Sequence, residues 1–256
     1  MEDRTQGRLI IQRELGEISD NLALEHAIME VFSLSTEKVI IRVWRNKKTV
    51  VLGRNQRLEE EIDEDYCMRN DIKINRRISG GGTVYHDEGN WNISFFVKKE
   101  VINIQNVEEL NIKFTDTIIK SLQNMGLEKV ERRGKSNIFY NGKKVSGSAE
   151  FHKKFCILHH ATLLIEANLE HLEKSLVVKE QNPSLKRMSK YAPTINMTEV
   201  KIEEFVTELV RECEKEWGLR IKEEGIKEEE KEEAERLKEK IYERDLWVRE
   251  RQRTIK

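Results

Sequence analysis

Residues that could bind an anion are concentrated in the stretch Asn75–Asn90. Three consecutive glycines at positions 80–82 let backbone amides approach a ligand without side-chain obstruction, and such amides can form a concave nest for phosphate oxygens. Arg76 and Arg77 precede the glycines and supply strong anion donors. The stretch predicts an anion cradle, although on glycine content alone a flexible bend between two strands is an equally good interpretation.

This glycine loop does not match the common nucleotide-binding motifs. No Lys-Ser or Lys-Thr pair follows the glycines, which excludes a Walker loop, and the glycines are not spaced as GxGxxG at the start of a helix. The glycine loop by itself therefore does not indicate which ligand binds.

A second candidate stretch reads NGKKVSGSA at residues 141–149. In the alternation of a strand, Lys144 and Ser146 share one face and Lys143 and Val145 share the other. The small residues that follow permit close approach of a ligand, and a lysine beside them could stabilise charge that develops on a phosphate. Taken alone, the stretch is better interpreted as a surface hairpin with solvated lysines.

Neither the histidines nor the cysteines form a metal-binding pattern. His159 and His160 are adjacent on a predicted strand, so they point to opposite faces and do not predict a shared metal site. The three cysteines are odd in number and widely separated, which fits neither a disulfide framework nor CxxC spacing. We expect them to be reduced thiols.

The elements that would position these residues alternate between helices and short strands. An apolar stripe predicts a helix over about 20–33, with possible N-caps at 19–21. The runs 38–44 and 49–53 are interpreted as a hairpin, and strands at 72–78 and 91–97 flank the glycine loop.

The second half of the chain contains residues that mark the ends of helices and a tight turn. A helix is predicted over 107–125 and ends at Gly126, and Asn141-Gly142 predicts a type I′ hairpin turn. A strand at 156–167 leads to a short helix capped by Asn168. A further helix begins at a Thr198 cap and ends at Gly218.

The end of the chain differs in composition. Residues 222–250 are dominated by Glu and Lys with a narrow apolar stripe, which predicts one solvated helix packed by one edge rather than an acidic interaction tail. Both prolines fall in 181–194, which is predicted to be a long surface loop. We expect residues 1–256 to form a single catalytic domain, with 222–256 as its charged helical tail.

Composition limits the possible partners. With 256 residues and 38% hydrophobic residues the chain can bury one continuous core, and a net charge of −1 gives no general field for nucleic acid. No apolar stretch approaches the roughly 20 residues needed to span a bilayer, and the amino terminus does not resemble a secretory signal. We expect a cytoplasmic protein that binds neither nucleic acid nor membrane.

Three motifs occur in the order RRISGGGTVYHDEGN, NGKKVSGSA and LHHATLLIEANLEHL. Together they resemble the lipoate–protein ligase family of the biotin/lipoate ligase superfamily. The similarity runs from near residue 7 to the segment IYERDLWVRE, and it is greatest to archaeal members that lack a fused C-terminal accessory domain. The resemblance implies an α+β fold in which mixed, largely antiparallel sheets are flanked by helices.

The resemblance also implies a two-step, ATP-dependent reaction with Mg²⁺ as a cofactor. Lipoate would be activated to lipoyl-adenylate and transferred to a lysine of a lipoyl domain, of the glycine-cleavage H protein or 2-oxoacid dehydrogenase E2 type, with a separate small accessory subunit. Lys144 takes the position of the catalytic lysine. The positions that it places around ATP or the lipoyl-adenylate are Arg76, Arg77, Gly80, Gly81, Gly82, Val84, His86, Asp87, Asn90, Ser136, Asn137, Ser146, Ala149, His160 and Ala161.

Two departures from the family pattern bear on these expectations. Many members have Asn-Asp where this chain has Ser136-Asn137, and replacing a carboxylate by an amide weakens a Mg²⁺ ligand, so Asn137 is only a candidate metal ligand. The loop 181–194 lacks the SVRxRVTN pattern of many members. Contacts that close over the substrate or the acceptor can therefore differ.

Three alternatives share the motifs or the fold. An octanoyl-transferase of this fold needs a nucleophilic cysteine shortly before the SNIFY segment, and no cysteine occurs between Cys67 and Cys156. A biotin ligase would carry an Arg-Gly repeat in place of RRISGGG. A non-catalytic adenylate-binding or partner-binding module remains open because of Ser136-Asn137 and the missing accessory domain.

Overall fold

Residues 5–102, 107–177 and 192–250 are described by the structure, a computed structural model, and they form two β-sheets and their flanking helices. The strands are β1 Thr5–Gly16, β2 Val39–Asn46, β3 Thr49–Leu52, β4 Lys73–Arg76, β5 Val84–His86, β6 Asn90–Lys98, β7 Val130–Arg133, β8 Asn137–Tyr140, β9 Lys143–His152, β10 Cys156–Leu164 and β11 Arg220–Glu223. The helices are α1 Ile18–Leu34, α2 Leu58–Glu61, α3 Glu64–Arg69, α4 Val107–Asn124, α5 Leu169–Ser175, α6 Ile202–Trp217, α7 Glu228–Leu237, a π-helical turn Lys238–Tyr242 and α8 Asp245–Arg249.

The larger sheet has eight strands in the order β11-β1-β2-β6-β10-β9-β8-β7. Strand β1 runs parallel to both of its neighbours, and every other neighbouring pair in this sheet is antiparallel. The smaller sheet has the order β4-β3-β5. The predicted architecture, mixed and largely antiparallel sheets flanked by helices, is confirmed.

Strands β2 and β3 do not form the predicted hairpin. β2 pairs with β1 on one edge and β6 on the other, so it offers no free edge to the strand that follows it. β3 instead pairs with β4 and β5 in the smaller sheet. The apolar runs were correct as strands, but pairing depends on which edges distant strands occupy, and the local pattern does not contain that information.

Apolar side chains pack on both faces of the larger sheet. On one face, Phe114 of α4 and Phe205 of α6 belong to a cluster with Ile93 and Phe95 of β6. On the other face, α1 packs with α7 against a cluster that includes Phe96 of the same strand. All nine residues of β6 are buried, as expected for a central strand covered on both sides.

The predicted turn and helix-stop glycines are confirmed. Gly126 and Gly218 have φ values of 93° and 66° after α4 and α6, in the left-handed conformation that glycine adopts at no steric cost. Asn141 and Gly142 have φ values of 49° and 76° between β8 and β9, as a type I′ turn requires. Asn168 caps α5 by accepting from the backbone N–H of His171 at 3.0 Å.

Two predicted helix starts are wrong. The α1 helix begins at Ile18 with Glu17 as its N-cap, so Asn21 lies inside the helix. Its side chain instead donates to Arg45 O and Asn46 Oδ1, which is a tertiary contact that the capping pattern cannot show. The α6 helix begins at Ile202 with an N-cap at Lys201, three residues after the predicted Thr198 cap.

The described part of 222–250 is not one solvated helix. It contains the end of β11, α7, the π-helical turn and α8. Glu230, Tyr242 and Trp247 are buried, and Glu230 forms an ion pair with the buried Arg8. Residues 251–256 of the predicted tail and most of the predicted loop 181–194 lie outside the described residues. In the ranges that the structure describes, no helix has the length and hydropathy needed to cross a bilayer.

Candidate active site

A pocket of about 1000 Å³ opens between the glycine loop, β9, β10 and α5. Most of the site residues predicted from the sequence line it: Arg77, Gly81, Gly82, Val84, His86, Ser136, Asn137, Lys144, Ser146, Ala149, His160 and Ala161. Four of them do not: Arg76, Gly80, Asp87 and Asn90. The structure thus brings the three sequence motifs to one pocket but uses part of each motif elsewhere.

Lys144 is placed in the pocket wall by strand β9. Its backbone N–H donates to Pro193 O at 2.8 Å and its carbonyl accepts from Ile195 N–H at 3.2 Å, so residues 193–195 run alongside it. A Cβ atom on Gly147 would lie 3.2 Å from Lys144 Nζ, which shows that the glycine leaves room for the ammonium group. Burial lowers the pKa of Lys144 to about 8.

The guanidinium of Arg77 lies beneath the glycine loop and is occupied by it. Its Nη2 donates to Gly80 O at 2.6 Å and to Gly82 O at 2.8 Å, and its Nε donates to Ser79 Oγ at 2.9 Å. Nη1 donates to Val51 O at 3.2 Å. Arg77 therefore shapes the loop, and these bonds use four of its five N–H groups.

Arg76 is not brought to the pocket. It is fully buried, and its guanidinium donates to Trp247 O at 2.8 Å, Val248 O at 2.7 Å and Gly53 O at 2.9 Å. Trp247 Nε1 donates in turn to Arg76 O at 2.7 Å. The guanidinium is planar and has several N–H donors, which made Arg76 a candidate anion-binding residue. In the structure these donors connect β4 to the C-terminal segment instead.

Asp87 and Asn90 shape the turn that follows the loop. Asp87 Oδ1 accepts from the backbone N–H groups of Gly89 and Asn90 at 2.9 and 3.1 Å, and Oδ2 accepts from Asn168 N–H at 2.7 Å. Gly89 is required there, since a Cβ atom would lie 2.0 Å from the backbone of Glu166. The HDEGN segment therefore joins β5, β6 and the start of α5.

The two pocket histidines have different partners. His160 Nε2 lies 2.7 Å from Ser79 Oγ, and its Nδ1 lies 3.0 Å from Glu25 Oε2. His86 Nδ1 lies 2.9 Å from Asn46 Nδ2. Burial, with a smaller contribution from Arg77, lowers the pKa of His86 to about 3, so its imidazole is neutral at physiological pH. As predicted, His159 points to the other face, where it stacks on Phe114.

Glu25 of α1 lines the pocket and was missed by the sequence analysis. It is 1% exposed, and Ser94 Oγ donates to it at 2.6 Å. Burial alone raises the pKa of a carboxyl group, but His160 and Ser94 together lower that of Glu25 to about 2, so it is ionised. One signal was available: Glu25 lies three and four residues from Leu22 and Met29, within a helix whose neighbouring positions are apolar.

Apolar side chains from separate parts of the chain also line the pocket. Leu22, Trp44 and Val51 belong to one apolar cluster, and Leu164, Leu169, Leu172 and Leu176 also line the pocket. An apolar slot next to a glycine loop and a lysine suits a ligand with an apolar tail and a charged end.

Mg²⁺ in nucleotide sites is usually bound through one or two carboxylates together with the phosphates of the nucleotide, so it does not require a preformed cluster of protein ligands. The described residues contain no group of three or more His, Cys, Asp or Glu side chains arranged to hold a metal ion. Ser136 and Asn137 line the pocket but supply a hydroxyl and an amide, which are weak ligands for a hard cation.

Comparisons with known proteins agree with this arrangement. Residues 17–214 match the family model described as lipoyl protein ligase A/B catalytic domain. The chain is 35% identical to lipoate-protein ligase LplJ of Bacillus subtilis over 73% of this chain and 53% of that protein, so it spans about half the length of that relative. It is 28% identical to lipoate-protein ligase A subunit 1 of Thermoplasma acidophilum, over 94% of this chain and 96% of that one.

Solved structures match over nearly the whole chain. A structure from an archaeal lipoylation system of T. acidophilum, described as a bi-partite lipoate protein ligase and its E2 lipoyl domain, has a TM-score of 0.84 at 27% identity and covers 98% of this chain and 99% of that one. A T. acidophilum structure with bound lipoic acid has a TM-score of 0.82 at 28% identity, covering 96% and 100%. A lipoate-protein ligase A bound with ATP has a TM-score of 0.83 at 28% identity, covering 97% and 100%. With its motifs gathered in one pocket and the family model matched over most of its length, the chain belongs to the lipoyl protein ligase A/B catalytic domain family.

Proposed function

We propose that this chain is the catalytic subunit of a lipoate–protein ligase. The observation that carries the proposal is the pocket itself, in which the partly buried Lys144 and the glycine loop lie beside an apolar slot. Related structures contain ATP or lipoic acid, and these ligands match the charged and apolar parts of the pocket.

In the first step, a carboxylate oxygen of lipoate attacks the α-phosphorus of ATP. The new O–P bond gives lipoyl-adenylate, and the bond to the β-phosphate breaks to release pyrophosphate. Negative charge grows at the α-phosphate in the transition state, and a cation held there in advance stabilises it more than it stabilises the bound substrates. Lys144 takes this role.

In the second step, the amine of an acceptor lysine attacks the acyl carbon of lipoyl-adenylate. An amide forms, the bond to phosphate breaks so that AMP leaves, and the amine loses a proton. We propose a lipoyl domain as the acceptor and a separate small accessory subunit for transfer, because a relative that matches this chain from end to end is named subunit 1 and another structure is described as bi-partite.

Transfer through a thioester on the enzyme is disfavoured. An octanoyl-transferase needs an accessible thiolate, whereas Cys67, Cys156 and Cys213 are all buried and none lines the pocket. Burial raises the pKa of each thiol, which reduces its nucleophilicity further. Thiol alkylation should therefore leave the activity unchanged.

The test is release of pyrophosphate from ATP by the full chain, with and without lipoate. We expect release only with lipoate, and a loss of at least about a hundredfold in Lys144→Ala, the size seen when a single charge-stabilising donor is removed. Lys143→Ala is the matched control, since this neighbouring lysine is exposed and lies outside the pocket lining. Lipoate-dependent release that Lys144→Ala leaves intact would exclude the proposed role.

The second step is tested by mass spectrometry of a lipoyl domain incubated with the chain, ATP and lipoate. We expect the acceptor to gain one lipoyl group only when a candidate accessory subunit is added. Neither pyrophosphate release nor transfer under any condition would support the alternative of a non-catalytic adenylate-binding module, whereas adenylate formation without transfer would leave only the first step supported.

A further inference from the structure

The two pocket histidines are held in opposite tautomers by chains of side-chain hydrogen bonds. For His86 the chain begins at Arg42, whose Nη2 donates to Asn21 Oδ1 at 2.6 Å. A guanidinium can only donate, so the Asn21 atom that it meets is the amide oxygen. Burial lowers the pKa of Arg42 to about 9, which still leaves it protonated at neutral pH.

The side-chain amides of Asn21 and Asn46 continue the chain of hydrogen bonds from Arg42 to His86, each in a fixed donor-to-acceptor order. Asn21 Nδ2 donates to Asn46 Oδ1 at 2.8 Å, which leaves Asn46 Nδ2 to face His86 Nδ1 at 2.9 Å. An amide nitrogen is a donor, so Nδ1 of His86 must accept. In the neutral ring the proton is then on Nε2.

His160 has the opposite assignment. Nδ1 of His160 faces a carboxylate, which can only accept, so Nδ1 carries a proton; in the neutral ring Nε2 then accepts from Ser79 Oγ, which itself accepts from Arg77 Nε. The other ring nitrogen, Nδ1, donates to the ionised Glu25. Both nitrogens of His160 are therefore occupied by the protein.

His86 differs because one of its nitrogens has no hydrogen-bond partner in the part of the chain that the structure describes. Nε2 is buried and makes no hydrogen bond to any described residue, although the ring lines the pocket. An unpaired buried donor costs free energy that an acceptor on a ligand would recover. This is a second observation, independent of the tautomer, that points to a ligand contact.

The surroundings of His86 indicate which part of the ligand it meets. Its ring lies edge-on to Trp44 with centroids 6.1 Å apart, and Trp44 packs in one apolar cluster with Leu22 and Val51. A neutral donor in an apolar wall suits the carboxyl end of an acyl chain better than a polyphosphate, which recruits cationic donors.

We propose that His86, rather than His160, contacts the substrate and donates from Nε2–H to a carboxyl oxygen of the acyl ligand. Arg42, Asn21 and Asn46 are then positioning residues that hold His86 in this tautomer. The proposal deepens the function proposed above and rests on it for the identity of the acyl ligand.

The tautomers can be read directly by long-range ¹H–¹⁵N NMR of the full chain labelled with ¹⁵N-histidine. We expect a protonated Nε2 in His86 and a protonated Nδ1 in His160, with His86→Gln and His160→Gln used for assignment. Addition of lipoate should shift the His86 Nε2 resonance, and ATP alone should not. A proton on Nδ1 of His86 would overturn the proposal, and a shift with ATP alone would overturn the choice of the acyl ligand.

Substitutions test whether the tautomer of His86 affects the affinity for lipoate. Asn46→Asp replaces the donor by an acceptor, so we expect the His86 proton to move to Nδ1 and the affinity for lipoate to fall about tenfold, with ATP affinity unchanged. If this variant does not fold, calorimetry compares His86→Gln, which keeps an N–H donor, with His86→Leu, which removes it. We expect the leucine variant to lose about tenfold in lipoate affinity and the glutamine variant less.

The matched control is His171→Gln, a histidine that bonds to Tyr66 and does not line the pocket. Its lipoate affinity should equal that of the unchanged chain. Equal lipoate affinity in His86→Leu and the unchanged chain would overturn the contact. A chain that binds lipoate but releases no pyrophosphate would remove the proposed function and leave the contact standing, whereas a chain that binds no lipoate would overturn both.

Discussion

Lys144 and Arg77 are both cations in the pocket wall, but their N–H groups serve different purposes. The Arg77 guanidinium is occupied by carbonyl groups and the hydroxyl of the glycine loop, whereas the Lys144 amine lies in a space kept open by Gly147. A fixed guanidinium shapes a loop, and a compact ammonium on a flexible stem can follow charge that develops on a phosphate. Residue type alone does not separate these two roles.

The lowered pKa of Lys144 predicts a pH dependence of adenylation. Burial disfavours the charged amine, so Lys144 is cationic below about pH 8 and loses its proton as the pH rises through that value. We expect kcat/KM for lipoate-dependent pyrophosphate release to be retained below pH 8 and to decline above it, since this parameter reports the free enzyme.

Two variants serve as controls for that profile. Lys144→Arg should move the decline to higher pH, because arginine keeps its charge, while Lys143→Ala should leave the profile unchanged. A decline that stays near pH 8 in Lys144→Arg would assign the titration to another group.

The glycine loop is shaped by close approach of two backbone segments. A Cβ atom on Gly53 would lie 2.2 Å from Gly81 O, so only glycine lets the end of β3 pass beneath the loop. Gly81 itself has a φ of 88°, which an L side chain rarely adopts. The pairing of β3 with β4 and β5 therefore determines the shape of the pocket.

We expect Gly53→Ala to displace the loop and to cost about 1–3 kcal/mol of the free energy of unfolding, the usual range for an overpacked site. Gly80→Ala is the matched control, since nothing lies within 4 Å of its Cβ position and it does not line the pocket. Urea unfolding of the two variants measures the difference. Equal midpoints would show that the approach at Gly53 relaxes without cost.

The C-terminal segment is part of the structure that supports the site. Trp247 is 3% exposed and exchanges hydrogen bonds with Arg76, and Tyr242 O accepts from Asn75 Nδ2 at 3.0 Å. Because Asn75 and Arg76 lead directly into the glycine loop, these contacts hold the loop from a point some 170 residues away in the sequence.

Trp247→Ala should lower the free energy of unfolding by about 3–5 kcal/mol, because it removes a large buried side chain and the hydrogen bond from its indole. Leu246→Ala is the control at the adjacent position, where the side chain is 61% exposed, and should change the value by less than about 0.5 kcal/mol. Chemical denaturation of both variants checks this. Similar losses in both would contradict the contribution of Trp247.

What the sequence by itself determined was local in origin. Asn141-Gly142, Gly126 and Gly218 needed only their own backbone conformations. The simple alternation predicted around Lys144 does not hold, because the register of β9 against β8 shifts at Val145, which lines the pocket together with Lys144 and Ser146. The three ordered motifs were sufficient to identify the family and to place twelve predicted site residues in the pocket lining.

Tertiary structure decided how the polar groups are used. Arg76 binds the carbonyl of Trp247 rather than a phosphate, and Glu25 pairs with His160 rather than with solvent. Both outcomes depend on groups brought together from distant parts of the chain. Burial then makes each such pairing obligatory, since an unpaired polar group in the interior is costly. Spacing in the sequence does not show which distant groups become partners. The motifs therefore located the pocket, but they could not show which side chains face a ligand and which support the fold.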